Sequence, residues 1–138
     1  SRNFIYQVTP RLSHIIRNNR KLKEAMKTGR AIFGTVDTWL LHRLKNISSA
    51  EKFEAITDIT NVSCTGLFDP FTSDYIVNLN YFKIKRSLLP AVVDNSCDFG
   101  YTHKSHFGVP IKIATIIADQ AAALIGNACF RKMDAKVN

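Results

Sequence analysis

The feature that most constrains the fold is an apolar, β-branched run, IKIATIIA at residues 111–118, which is followed at once by Asp119 and an alanine-rich stretch. A nearly continuous apolar run of this kind predicts a buried strand of a parallel or mixed sheet. The stretch from Gln120 to Cys129 has a composition that strongly favours a helix. A strand that leads directly into a helix predicts an α/β fold.

Asp119 lies at the junction between this strand and this helix. In open α/β sheets, ligands bind beyond the carboxyl ends of the strands, and a helix N-terminus favours anions. An ionised carboxylate held there can act as a general base. An aspartate before an alanine-rich helix is also a common N-cap. The residues alone therefore leave catalysis and capping open for Asp119.

Two helices are predicted in the first third of the chain. Apolar residues recur with a 3.6-residue period between Arg11 and Lys27, which predicts one amphipathic helix. A second helix is predicted from Thr35 to about Leu44, with four residues facing inward: Val36, Trp39, Leu40 and Leu44. The segment from Thr57 to Cys64 is ambiguous between a short helix and an extended strand.

The net charge of +8 raises the question of a nucleic-acid partner. Residues 1–45 carry ten Lys or Arg and two acidic residues, and the rest of the chain carries nine of each. The excess therefore belongs to the N-terminal stretch 1–45 rather than to the whole chain, and six of its ten Lys and Arg residues lie on the predicted helix 11–27. No aromatic residues are interleaved with its basic side chains for base stacking, which favours a solvated helix face and no nucleic-acid partner. A nucleic-acid binder is kept as an alternative.

Cysteines and histidines give weaker signals. The three cysteines are an odd number without a secretion signal, which indicates free thiols and a cytoplasmic location. His103 and His106 lie near Cys97 but lack a second pair at ligand spacing, so we predict loop histidines and no metal site. No apolar run approaches the roughly 20 residues of a membrane span. Neither a Walker-type loop nor a dinucleotide fingerprint is present.

Three motifs together resemble the FGGY family of carbohydrate kinases, and within it the glycerol kinase type. They are FGTVDTWLL at residues 33–41, TDITNVSCTGLF at residues 57–68 and ADQAAALIG at residues 118–126. The segment LLPAV at residues 88–92 is similar to an L-P-x-V segment of the family. The stretch LFDP at residues 67–70 is similar to a divergent animal branch of glycerol kinases. Order and spacing also fit, from about residue 10 to the end of the chain.

The resemblance implies a fold and a reaction. Members have two domains of the ribonuclease H-like, actin-type ATPase architecture, with the active site in the cleft between them. By similarity, Asp119 is the catalytic base that takes the proton of the attacked hydroxyl, and Asp119 and Gln120 bind the polyol. Expected ligands are a small polyol such as glycerol, ATP and Mg²⁺. Segments 33–41 and 57–68 are expected to pack or cap rather than to bind substrate.

The resemblance also implies that the chain is an internal piece, the C-terminal part of the family's N-terminal domain. The family's first phosphate-binding turn, its T-x-G-T-G loop and its second, ATP-binding domain lie outside residues 1–138, so we expect no kinase activity from the piece alone. Ala118, Ala121 and Val62 replace a Gly, a Gln and an Ala of the family pattern. Alternatives are a kinase for another sugar such as a pentulose, or a non-catalytic pseudokinase or interaction protein. Oligomeric state is left open, with a homo-oligomer among the options.

Overall fold

The computed structural model describes residues 8–47 and 53–137. This part of the chain contains six α-helices, of which three precede the first strand and two follow the last. The helices are α1 (Val8–Asn18), α2 (Arg20–Lys27), α3 (Val36–Lys45), α4 (Ile59–Ser63), α5 (Lys104–Phe107) and α6 (Asp119–Gly126). The strands are β1 (Ile56–Asp58), β2 (Phe68–Asp69), β3 (Asp74–Tyr75) and β4 (Ala91–Val93), and the 3₁₀ turns are Val77–Asn80 and Arg86–Leu88.

Two small sheets organise the described residues. β1 and β4 are parallel, with Ile56 opposite Ala91 and Asp58 opposite Val93. β2 and β3 form an antiparallel hairpin. Segment 57–64, for which the sequence predicts either a short helix or an extended conformation, contains both. β1 ends at Asp58, and α4 starts at the next residue.

The hydrophobic core lies between α1, α4 and the β2–β3 hairpin. Its buried members are Ile16, Val62, Leu67, Phe68, Tyr75, Leu79, Ile84 and Leu88. The rings of Phe68 and Tyr75 meet edge to face with centroids 5.7 Å apart, an arrangement that aromatic pairs prefer. This core holds β1 and α4 in place, and these two elements carry the motif at residues 57–68.

The prediction of one helix over residues 11–27 is wrong, because the helix is broken at Asn19. The backbone of Asn19 is extended, with φ −103° and ψ 106°. Its side-chain oxygen accepts a hydrogen bond from Leu22 N at 3.0 Å and so caps α2. Asparagine is among the best N-cap residues, and here capping outweighs the continuous apolar period.

The boundaries predicted for the second helix agree with α3 within one residue, but the predicted inward face is wrong. Val36 and Trp39 are 71% and 60% exposed, and Leu40 is exposed as well. Asp37 and Thr38 are buried instead. Thr38 Oγ1 donates to the carbonyl oxygen of Ile56 at 2.9 Å. This polar contact with β1 fixes the rotation of α3, so that Leu41 is buried and Leu44 half-buried while the other three predicted residues are exposed.

The prediction of a buried strand at residues 111–118 is also wrong. The segment is extended, but it shares only one isolated bridge, between Tyr101 and Lys112, within the described residues. Its backbone bonds to residues 95–102 on one side, as when Ile113 N donates to Gly100 O at 2.8 Å. Ile111 is 47% exposed. Apolar composition therefore gave the extended conformation but not the burial.

None of the helices among the described residues combines the length and the apolar character needed to cross a bilayer.

Candidate active site

Asp119 is the first residue of α6, directly after the extended segment. Ala118, with φ −65° and ψ 146°, occupies the N-cap position and has no capping side chain. One oxygen of Asp119, Oδ1, accepts a hydrogen bond from Gln120 N at 2.7 Å. Asp119 therefore occupies the first turn of the helix rather than the cap, and its exposed carboxylate faces the positive end of the helix dipole.

Asp119 is one of the residues that line a groove of about 690 Å³. One wall is α3, and the other is the extended segment 113–118. Asn61 of α4 also lines the groove. A larger cavity of about 1210 Å³ is lined by other residues of α3, including Thr38, Trp39 and His42, and does not include Asp119. The carboxylate with candidate chemistry thus belongs to the smaller groove.

Asp58, at the end of β1, is fully buried and is the N-cap of α4. Its Oδ2 accepts hydrogen bonds from Thr60 N at 2.7 Å and from the Thr60 hydroxyl. Its Oδ1 accepts from Asn61 N and from the Asn61 side-chain amide. The prediction that Asp58 and Asn61 fix a turn or cap is confirmed.

The same carboxylate also reaches the residues that precede Asp119. Asn95 Nδ2 donates to Asp58 Oδ2 at 2.6 Å and to Ile116 O at 2.9 Å. Ala118 N donates to Thr60 Oγ1 at 2.8 Å. These bonds join β1 and α4 to the end of the extended segment. No sequence pattern indicates this role of Asn95, because its partners are 37 and 21 positions away.

Gln120, the second predicted site residue, follows Asp119 in α6. Its side-chain oxygen accepts a hydrogen bond from Lys136 Nζ at 2.7 Å. The Gln120 side chain thus follows Asp119 directly in the chain and is hydrogen-bonded to a residue near the C-terminal end of the described chain.

Asp37 is a second buried carboxylate beside the groove. Its Oδ2 accepts a hydrogen bond from Thr57 Oγ1 at 2.7 Å. Its Oδ1 is buried and lacks a hydrogen-bond partner within residues 8–47 and 53–137.

Two residues with shifted pKa values, Asp74 and Tyr75, form β3. Burial raises the pKa of Tyr75 to about 12 despite the nearby Arg86 guanidinium. The Tyr75 hydroxyl donates to Pro90 O at 2.8 Å, and Arg86 Cζ lies 4.3 Å from the ring centroid. The hydrogen bond from Arg86 lowers the pKa of Asp74, with N–O at 2.7 Å. This cluster supports the hairpin rather than the groove.

His103, which precedes α5, and His106, which lies within it, have structural roles. His103 caps α5 and has its Nδ1 2.7 Å from Ser105 Oγ. His106 Nε2 lies 3.0 Å from Arg43 O. Across the part of the chain that the structure describes, no three His, Cys, Asp or Glu side chains are grouped so as to hold a metal ion.

Comparison with known proteins gives consistent results. Residues 3–126 match the N-terminal domain of the FGGY family of carbohydrate kinases. Glycerol kinase 5 of Bos taurus is 43% identical over 133 residues, which are 94% of this chain and 24% of that protein. Glycerol kinase of Bradyrhizobium sp. (strain ORS 278) is 45% identical over 109 residues, which are 78% of this chain and 21% of that protein.

A solved structure extends the likeness to three dimensions. The crystal structure of Plasmodium falciparum glycerol kinase with ADP matches with a TM-score of 0.76 and 31% identity, over 87% of this chain and 23% of that one. The expected fold class, an α/β part of a ribonuclease H-like, actin-type ATPase domain, is confirmed. The chain spans about a quarter of the length of these relatives. With a family match over most of its length, the chain belongs to the FGGY family of carbohydrate kinases.

Proposed function

We propose that the full-length protein containing this chain is an ATP-dependent kinase that transfers the γ-phosphoryl group of ATP to a hydroxyl of glycerol or a similar polyol. Residues 1–138 are then part of its N-terminal domain, and the ATP-binding domain lies outside them. Membership of a carbohydrate kinase family and 43% identity to a glycerol kinase 5 support this proposal.

The observation that carries the proposal is the placement of Asp119. Asp119 is exposed, follows an extended segment, begins α6 and lines the groove. A general base must be ionised and fixed within reach of the proton that it takes. An exposed carboxylate on a helix terminus is accessible to a substrate hydroxyl and is held by the scaffold.

In the proposed step, the polyol oxygen attacks the γ-phosphorus and forms the new P–O bond. The bond from that phosphorus to the bridging oxygen breaks, and ADP leaves with the electron pair. Asp119 takes the proton of the attacking hydroxyl. Phosphoryl transfer depends mainly on positioning and charge stabilisation, so the task of Asp119 is to orient the hydroxyl and accept its proton.

Gln120 is proposed to hydrogen-bond the polyol through its side-chain amide, whose oxygen accepts a bond from Lys136 Nζ in this structure. Mg²⁺ is proposed only as the ion that accompanies ATP, because Mg²⁺ commonly binds one or two carboxylates together with substrate phosphates. The described residues offer no three-ligand cluster for it, and the proton transfer to Asp119 does not run through it.

The test is an assay of ADP release by the full-length protein with glycerol, beside Asp119→Asn. Asparagine keeps the acceptor for Gln120 N but cannot take a proton as a carboxylate does. We expect kcat to fall by about 10²- to 10⁴-fold, the usual contribution of a general base, with an unchanged melting temperature. Asp98→Asn is the matched control, because Asp98 is also exposed and accepts a backbone N–H bond, from Gly100 at 2.8 Å.

A wild-type protein that phosphorylates a pentulose but not glycerol would assign a different acceptor within the same family. A wild-type protein inert toward glycerol and a panel of sugars would favour the pseudokinase alternative. If Asp119→Asn and Asp98→Asn turn over at the wild-type rate, Asp119 is not the base.

A further inference from the structure

We propose that Asp58 is a positioning residue for Asp119, acting through the hydroxyl of Thr60 and the amide of Asn95. This inference rests on the proposed function, since it concerns the placement of the proposed base. Asp58 is fully buried and is not among the residues that line the groove, so it has no access to substrate itself.

The first link is the Thr60 hydroxyl. A hydroxyl has one hydrogen to donate and lone pairs that accept. Thr60 Oγ1 donates its hydrogen to Asp58 Oδ2, which leaves a lone pair for Ala118 N at 2.8 Å. The negative charge on Asp58 therefore orients the hydroxyl, and the hydroxyl fixes the residue next to Asp119. A charge-assisted bond of this kind is stronger than a neutral one.

The second link is the side-chain amide of Asn95. Its two N–H groups serve Asp58 Oδ2 at 2.6 Å and Ile116 O at 2.9 Å. Asn95 and Ile116 are also joined through their backbones, because Ile116 N donates to Asn95 O at 3.0 Å. Residues 116 and 118 are thus both fixed to one buried carboxylate, and Asp119 follows immediately.

The geometry of Asp119 depends on this backbone. The carboxylate is exposed, and the hydrogen bond that it makes goes to the N–H of its own neighbour, Gln120. That bond moves with α6 and cannot fix the position of α6. Displacing a catalytic group by about 1 Å can cost about 10²-fold in rate. We therefore expect that breaking the hydrogen bonds to residues 116 and 118 lowers the rate of phosphoryl transfer, because Asp119 is then displaced.

Removing the hydroxyl of Thr60 tests the proposal. Thr60→Val keeps the shape and removes the acceptor for Ala118 N, while Thr60→Ser restores it. Thr65→Val is the matched control, because the Thr65 hydroxyl also bridges locally, donating to Val62 O at 2.6 Å and accepting from Leu67 N at 3.1 Å. Thr65 is more deeply buried than Thr60, so its substitution is at least as severe a test of stability, but its partners do not lead to Asp119.

Two readouts are measured on the full-length protein: kcat and KM for glycerol and ATP, and the hydrogen-exchange protection of the Ala118 amide. We expect Thr60→Val to lower kcat by about 10- to 100-fold with both KM values within about threefold, because positioning acts on the transition state. Thr60→Ser is expected to recover most of the rate. Thr65→Val should lower the melting temperature as much as Thr60→Val and leave kcat near wild type.

The outcomes separate the two proposals. Equal kcat in Thr60→Val and Thr65→Val would overturn the positioning role while leaving the kinase assignment intact. If the wild-type protein does not turn over, the proposed function fails, and hydrogen exchange decides the link on its own. Loss of protection at Ala118 in Thr60→Val but not in Thr65→Val then supports the link from Asp58, and unchanged protection in both variants refutes it.

Discussion

Gly34, which precedes α3, is a position where a single added methyl group should be costly. A Cβ built at Gly34 would lie 2.8 Å from Thr38 Cγ2 and 2.9 Å from Thr38 Cβ. Contacts this short are not tolerated, so Thr38 or the backbone must move. Thr38 is not free to move without loss, because it is buried and its hydroxyl donates to Ile56 O at 2.9 Å.

The magnitude follows from two contributions. Overpacking a well-filled site costs about 1 to 3 kcal/mol. Loss of the Thr38–Ile56 hydrogen bond costs about 1 kcal/mol more. Gly34→Ala is therefore expected to lower the free energy of unfolding by about 2 to 4 kcal/mol. With a urea m-value of about 1 to 3 kcal/mol per molar, the midpoint should fall by about 0.7 to 4 M, and by about 1.5 M at the middle of both ranges.

The assay is equilibrium urea unfolding followed by circular dichroism at 222 nm, and Gly126→Ala supplies the control. Gly126 is the last residue of α6, and a Cβ there would meet nothing within 4 Å. The same substitution should thus be stabilising at Gly126, by about 0.5 to 1 kcal/mol, because alanine loses less backbone entropy in a helix. If Gly34→Ala unfolds at or above the wild-type midpoint, the argument from the contact with Thr38 is refuted.

Three further effects are expected. Asn46 ends α3 with φ 52° and ψ 42°, so Asn46→Gly should raise the melting temperature slightly and Asn46→Val should lower stability by about 1 kcal/mol. Phe99 is fully buried, and Phe99→Ala should cost about 3 to 5 kcal/mol in urea unfolding, whereas a cost below about 1 kcal/mol would contradict its core position. The raised pKa of Tyr75, about 12 against 10.0, means that the folded state holds this proton more tightly; its stabilising effect is present below pH 10 and is lost as the pH rises toward about 12. Urea midpoints measured from pH 9 to 12 should therefore fall more steeply in wild type than in Tyr75→Phe, which keeps the ring but removes the hydroxyl bonded to Pro90 O.

The parts of the structure that sequence predicted well depend on local chemistry. The helix after Asp119 follows from its alanine content, and α3 has the expected boundaries because helix propensity and turn residues act over a few positions. The cap role of Asp58 follows from its position before a short helical segment. Each of these predictions needed only neighbours in the chain.

The parts that sequence missed depend on contacts between distant residues. The rotation of α3 is set by the contact between Thr38 and Ile56, 18 positions away. The role of Asn95 depends on Asp58, 37 positions away, and no spacing rule connects the two. At Asn19, two local signals competed, and the capping side chain decided against the apolar period. Asp119 could thus be proposed as a site residue from the sequence, whereas the contacts of Thr60 and Asn95 that fix the preceding backbone could not be predicted.

The contact between Thr60 and Ala118 has a consequence for the order of folding. It joins residues 58 positions apart, and the entropy cost of closing a loop rises with its length. Pairing of β1 with β4 shortens that loop first, because it brings residue 58 next to residue 93. We therefore expect the parallel ladder to form early and the Asp119 junction to close late. Unfolding should follow the reverse order, so mild urea should expose the Ala118 amide to hydrogen exchange before it opens the pairing of β1 with β4. The junction that contains Asp119 is then expected to unfold first.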